Sequence, residues 1–115
     1  MASRPNILVL MCDQLQGKVF DPDHPCQTPN LDRLAARGIR FARAYTPNAV
    51  CSPARASLMT GRYNYRTGVV DTYLGRAMMH GGEITMAEVF KKGGYQTGLF
   101  GKWHLGDNYP FRPND

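Results

Sequence analysis

NILVLM, Asn6 to Met11, is an essentially apolar run that gives way at once to Cys12, Asp13 and Gln14. A strand with one wet face would alternate polar and apolar side chains. An unbroken apolar run instead suits a strand covered on both faces, as in a mainly parallel sheet. Asp13 then falls at the carboxyl end of that strand, the edge where open α/β sheets hold their ligands.

Working outward, a polar loop with Gly17, Pro22 and Pro25 leads to Thr28, an N-cap type of residue, and Pro29 at the first helical position. Leu31, Leu34 and Ala35 form an apolar stripe that Gly38 ends, so the spacing predicts a helix over Pro29 to Arg37. Ile39, Phe41 and Ala44 punctuate a second expected strand, which carries Arg40 and Arg43 and ends near Pro47. Pro53 opens another expected helix, continued by Ala54, Leu58 and Met59 and stopped by Gly61, which puts Cys51 at a helix amino terminus. Residues 62 to 84, rich in Gly, Tyr and Arg, read as an irregular loop long enough for a functional role. Thr85 and Glu88 make a capping-box pattern before Met86, Val89 and Phe90, and that helix runs out at Gly93 and Gly94. Tyr95 to Phe100 is expected to re-enter the sheet. The fold class expected is α/β, a mainly parallel sheet flanked by helices, as one domain over residues 1–115.

Composition narrows the function classes. The 115 residues are 43% hydrophobic with five Phe, six Tyr and one Trp, a packed composition and not that of a disordered tail. Net charge is +5, yet the 14 Lys and Arg are scattered. No basic stripe is present to track phosphates, so a nucleic-acid partner is not expected, whereas a small anion is. Three cysteines, Cys12, Cys26 and Cys51, lack the density of a secreted disulfide framework, so reduced thiols are the default. His24 and Cys26 match no ordinary zinc spacing. The short apolar stretch near the start meets Asp13 where a signal peptide would need small residues, and no run approaches the roughly 20 apolar residues of a membrane span. A cytoplasmic location without a membrane partner is the expectation.

The chemistry concentrates in AVCSPARASLMTG, Ala49 to Gly61. A residue at a helix amino terminus faces unbonded backbone amides and the positive end of the helix dipole, a ready place for an anion. Arg55, four residues after Cys51, lies on the same helical face with donors for an oxyanion or for the nucleophile. Taken alone, a small buried thiol beside a solvent-facing Arg would explain CSPAR as well. Later, GYQTGLFGKWHLG, Gly94 to Gly106, presents Lys102 and His104, which period-two alternation sends to one side of an extended segment while Trp103 turns away to pack.

Cys51, Pro53 and Arg55 with Leu58, Met59, Thr60 and Gly61 resemble the first signature of the sulfatases, alkaline-phosphatase-like hydrolases of anionic esters. Gly94 to Gly106 resembles the second, and Thr28 to Gly38 is also typical of them. The resemblance extends from Asn6 to the end and implies that the chain is the amino-terminal part of a sulfatase catalytic domain, its sheet incomplete at the carboxyl end. It implies that Cys51 is oxidised to formylglycine by a maturation enzyme and that Arg55, Lys102 and His104 are catalytic, Arg55 and Lys102 also binding substrate. It further implies a divalent cation, calcium in preference to magnesium, held by Asp13, Gln14 and the modified Cys51. Sulfatases generally have two adjacent acids at the first of these positions. Gln14 departs from that pattern, since its amide oxygen ligates a hard cation without adding negative charge.

The substrate so implied is a small-molecule or carbohydrate sulfate ester, with phosphonate or phosphate esters as the nearest alternative and a truncated, non-catalytic anion-binding fragment as another. Further metal ligands, a second Lys and a second His come from later segments in the family, so the isolated chain is expected to be inactive. His80, with Met78 and Met79, either lines a substrate entrance or fills a loop.

Overall fold

A computed structural model describes residues 4–73, 76–107 and 112–113. The chain divides into two compact units, Met1–Ala44 and Tyr45–Asp115.

In the first unit a single 3₁₀ turn, Gly17–Phe20, precedes helix α1, Pro29–Arg37. The helix has the bounds its sequence predicts, but its start is built differently. The Thr28 hydroxyl does not cap a backbone amide; it donates to Asp32 Oδ1 at 3.1 Å, and the helix begins with the Asp32 amide donating to the Thr28 carbonyl at 2.9 Å. Gly38 ends it in extended, not left-handed, geometry. None of the described residues 4–44 is buried, and Leu8 and Leu10 are 81% and 76% exposed.

The expected sheet is not present among the described residues. Asn6 to Met11, Ile39 to Ala44 and Tyr95 to Phe100 are all without strand pairing. Strand identity is not a property of a segment alone: a parallel strand needs hydrogen-bonding neighbours along its edges and packed layers over its faces. The described residues supply neither to Asn6–Met11. In the other two segments local contacts are made instead. The Arg40 guanidinium lies over the Phe20 ring, 5.9 Å from its centre. Tyr95 gives its amide to the Phe90 carbonyl at 3.0 Å and sets its ring edge-on to Phe90, with centroids 5.3 Å apart.

The second unit contains helices α2 (Cys51–Thr60), α3 (Asn64–Thr67) and α4 (Met86–Lys92). Helix α2 packs against both of the others. It buries Ser52, Pro53, Ala56 and Ser57, a stripe of small side chains at helical spacing that lets its neighbours approach closely. Leu58, expected on the apolar side, falls on the opposite face and is 43% exposed. Ala56, Val69 and Leu105 are the fully buried centre, with Met59, Met79 and Trp103 packed around them.

The described residues between 62 and 84 are more regular than their composition suggests. The Thr67 hydroxyl donates to the Asn64 carbonyl at 2.9 Å, α3 closes on Gly68 at φ 78°, and the His80 amide donates to the Thr67 carbonyl at 2.9 Å. Arg62 Nη1 bridges both carboxylate oxygens of Glu83 at 2.8 Å. Helix α4 opens with the predicted capping box: the Glu88 amide donates to Thr85 Oγ1, and Glu88 Oε2 accepts from the Thr85 amide at 2.7 Å. It ends at Gly93, with Gly94 left-handed. No helix among the described residues is long and apolar enough to cross a membrane.

Candidate active site

Cys51 is the first residue of α2, and the loop before it is held by its own side chains. Thr46 donates through its hydroxyl to the Asn48 carbonyl at 2.8 Å, and Asn48 Oδ1 accepts the Val50 amide at 2.7 Å. The helix then starts with the Ala54 amide donating to the Val50 carbonyl at 3.0 Å. Val50 itself is extended, and the chain is helical from Cys51. Thr46 and Asn48 were not singled out by the motif reading, although an Asn directly after Pro47 and just ahead of a helix is a recognisable Asx-turn signal. Cys51 is partly buried and reduced.

Cys51 and Arg55 share the face of α2 that turns away from the Ser52, Pro53, Ala56 and Ser57 stripe. Arg55 Nη1 donates to the Lys102 carbonyl oxygen at 2.5 Å, a charge-assisted bond spanning 47 residues of sequence. The structure therefore brings Arg55 and the Lys102 main chain together. Next along, Leu105 is fully buried in the same cluster as Ala56, the neighbour of Arg55, and Trp103 packs on that cluster as expected.

The alternation expected for Lys102 and His104 is not how the chain presents them. Residues 101–105 form no strand: Gly101 has φ 101° and His104 has φ 62°, so side-chain direction does not follow a period of two. Lys102 is exposed, and His104 is partly buried with its Nδ1 enclosed and unbonded among the described residues. A left-handed conformation at a residue with a Cβ persists only where its surroundings impose it. Among the described residues with a side chain, Gln14 at φ 57° and His104 are the two that adopt one. Both are site residues that the family resemblance implies.

Asp13 and Gln14 form a turn in the first unit, whereas Cys51, Arg55, Lys102 and His104 belong to the second. As a cation site the pair offers one carboxylate and one amide carbonyl, against the six to eight oxygens, roughly, that calcium takes. Among the described residues no three His, Cys, Asp or Glu side chains gather as a metal-holding group. Among the described residues, Asp13 and Gln14 by themselves do not fill a cation's coordination shell. His24 and Cys26 are linked locally, the Cys26 amide donating to His24 Nδ1 at 3.1 Å. His80 sits by Gly68 and takes part in the loop's packing.

Comparison with known proteins gives the family. The sulfatase family model matches residues 5–112. The chain is 46% identical over 110 residues to arylsulfatase A of Bos taurus, covering 91% of this chain and 22% of that protein. It is 41% identical over 117 residues to human steryl-sulfatase, covering 91% of this chain and 20% of the relative. To the ulvan-active sulfatase of Formosa agariphila it is 40% identical over 105 residues, 90% of this chain and 20% of the other. The chain thus spans about a fifth of the length of these relatives. No solved structure matches it significantly.

Proposed function

The chain belongs to the sulfatase family, and we propose on that premise that the whole protein hydrolyses sulfuric esters, with Cys51 as the precursor of its nucleophile. The observation that carries the proposal is the place of Cys51 as first residue of α2, with Arg55 one turn on and tied to the segment bearing Lys102 and His104. An ester sulfate at that helix terminus meets the backbone amides and positive dipole end that favour an anion.

In the proposed chemistry a maturation enzyme, using an external two-electron oxidant, oxidises the Cys51 β-carbon to an aldehyde as its carbon–sulfur bond breaks and the sulfur leaves as sulfide. The aldehyde hydrates to a carbon bearing two hydroxyls. The oxygen of one hydroxyl attacks sulfur as its proton leaves to a base; the sulfur–alkoxy bond breaks, and the departing alkoxide is protonated and released as alcohol. The second hydroxyl then loses its proton, its oxygen forms the carbonyl, and the carbon–oxygen bond to sulfate breaks, releasing sulfate and restoring the aldehyde. His104 is suited to holding or moving one of these protons, and Lys102 to neutralising a sulfate oxygen. A divalent cation, calcium in preference to magnesium, belongs to the proposal only with ligands additional to Asp13 and Gln14. The chemistry assigned to Cys51 does not run through it.

Gln14 favours a second reading, phosphonate or phosphate ester hydrolysis, because it withholds a negative charge where sulfatases generally place one. The test is turnover of matched aryl sulfate and aryl phosphonate by the whole protein after co-expression with a maturation enzyme. Faster sulfate hydrolysis, together with an aldehyde at position 51 by peptide mass, is the expected result. A preference for phosphonate would overturn the first reading in favour of the second.

A further inference from the structure

Arg55 stands, by resemblance, among the groups that meet the substrate; the geometry points to an additional assignment. We infer that Arg55 is a positioning residue, fixing through its bond to the Lys102 carbonyl the main-chain path that carries Lys102 and His104. The inference deepens the sulfatase reading and rests on it for its functional meaning, but its structural content stands on this chain alone.

Three observations lead to it. First, Arg55 Nη1 donates to a main-chain atom of Lys102, so what it fixes directly is the path of the backbone. A guanidinium has five donors in a rigid planar fork, which suits it to holding a carbonyl while facing other groups. Second, that path is conformationally costly at one residue: His104 has φ 62° and carries a Cβ that disfavours it, whereas Gly101 takes its positive φ without penalty. Such a path needs contacts that impose it. Third, α2 supplies such contacts from two adjacent residues: Arg55 bonds the Lys102 carbonyl, and Ala56 belongs to the same buried cluster as Leu105. His104 lies between the two anchored points, and its Nδ1 is enclosed. One anchor is apolar and tolerant of sliding; the other is a directional, charge-assisted hydrogen bond that sets register.

The consequence is that a single turn of helix holds both the candidate nucleophile and the backbone of the segment opposite. Displacing the guanidinium would let His104 relax to negative φ and redirect the imidazole, with Cys51 unaltered.

The test uses the 115-residue chain with no substrate, so its failure is distinct from failure of the sulfatase reading, which only turnover decides. Amide hydrogen exchange and the His104 ring resonances are compared in the unmodified chain, Arg55→Ala and Arg55→Lys. The expected result for Arg55→Ala is exchange at Trp103, His104 and Leu105 faster by about tenfold or more, the scale of losing one charged hydrogen bond. Helix α4 is expected to keep its exchange rates, and the His104 ring signals to move while those of His24 stay. Arg55→Lys retains charge and helix propensity but is one atom shorter, and it keeps the test open should the alanine variant not fold. It too is expected to speed exchange at 103–105 and shift His104. Unchanged rates at 103–105, or acceleration shared equally by α4, would overturn the inference.

Discussion

The side chain of Arg55 and the main chain of Lys102 are joined by a 2.5 Å hydrogen bond, the guanidinium donating and the carbonyl accepting. Because Arg55 follows Cys51 by one helical turn, this bond links the two sequence signatures of the family through a backbone atom of one and a side chain of the other. Local order around Cys51 then becomes a matter of folding as well as of chemistry.

Replacing Cys51 by serine separates the two halves of the proposed reaction. A serine hydroxyl can accept sulfate, but without a second hydroxyl on the same carbon it cannot expel it. In the whole protein, Cys51→Ser is expected to release at most a stoichiometric burst of alcohol and then to stop, with steady-state turnover down by several orders of magnitude. Rapid-quench kinetics and the mass of the modified peptide check this, and sustained turnover would remove Cys51 from the central role.

Gly68 is predicted to tolerate no side chain. Its φ is 78°, and a Cβ there would overlap the His80 imidazole, with Cε1 at 2.7 Å. Left-handed strain and overpacking add, so Gly68→Ala is expected to cost about 3 kcal/mol in urea unfolding. Adding His80→Ala should recover the overpacking share and leave the backbone share. If the double variant were no more stable than the single one, the packing explanation would be wrong.

Glu88 makes the stability of α4 depend on acid. The Thr85 amide, then the Thr85 hydroxyl, and more weakly the charge of Lys92 hold its carboxyl below the ordinary 4.5, against a smaller opposing effect of burial. A carboxyl with a lowered folded-state value adds stability that is complete above the unfolded value and disappears as pH falls through the folded one. Stability is therefore expected to decline below pH 4.5 and on through the lowered value, and Glu88→Gln should flatten that part of the profile. Denaturant midpoints measured across this range give the comparison; an identical slope in the variant would exclude the capping box as its source.

Ser57 is nearly buried, and its hydroxyl has no hydrogen-bond partner among the described residues. Removing an unsatisfied hydroxyl from a helix interior also improves helix propensity. Ser57→Ala is expected to stabilise the chain by about 1 kcal/mol, visible as a higher thermal midpoint. A lower midpoint would show that the hydroxyl has a partner after all.

Much of the local structure could be read directly from the residues. Helix α1 keeps its predicted bounds, Cys51 opens a helix that Gly61 closes in left-handed geometry, and Thr85 with Glu88 forms its capping box. Each of these depends on groups within about one turn of each other, so the sequence window contains the whole interaction. The same window misled at Thr28, whose hydroxyl prefers Asp32, and at Leu58, where small residues took the buried face.

The sequence by itself determined the family, helices α1, α2 and α4 and the spacing that groups Cys51 with Arg55 and Lys102 with His104, because these are matters of residue type and short spacing, whereas α3 fell in a stretch read as irregular loop. Only the tertiary structure decided that the apolar runs pair with no neighbour among the described residues, that His104 sits in left-handed geometry, and that Arg55 grips the Lys102 backbone. The reason is separation along the chain: ladder bonds, imposed strain and a contact across 47 residues require partners that no local pattern encodes.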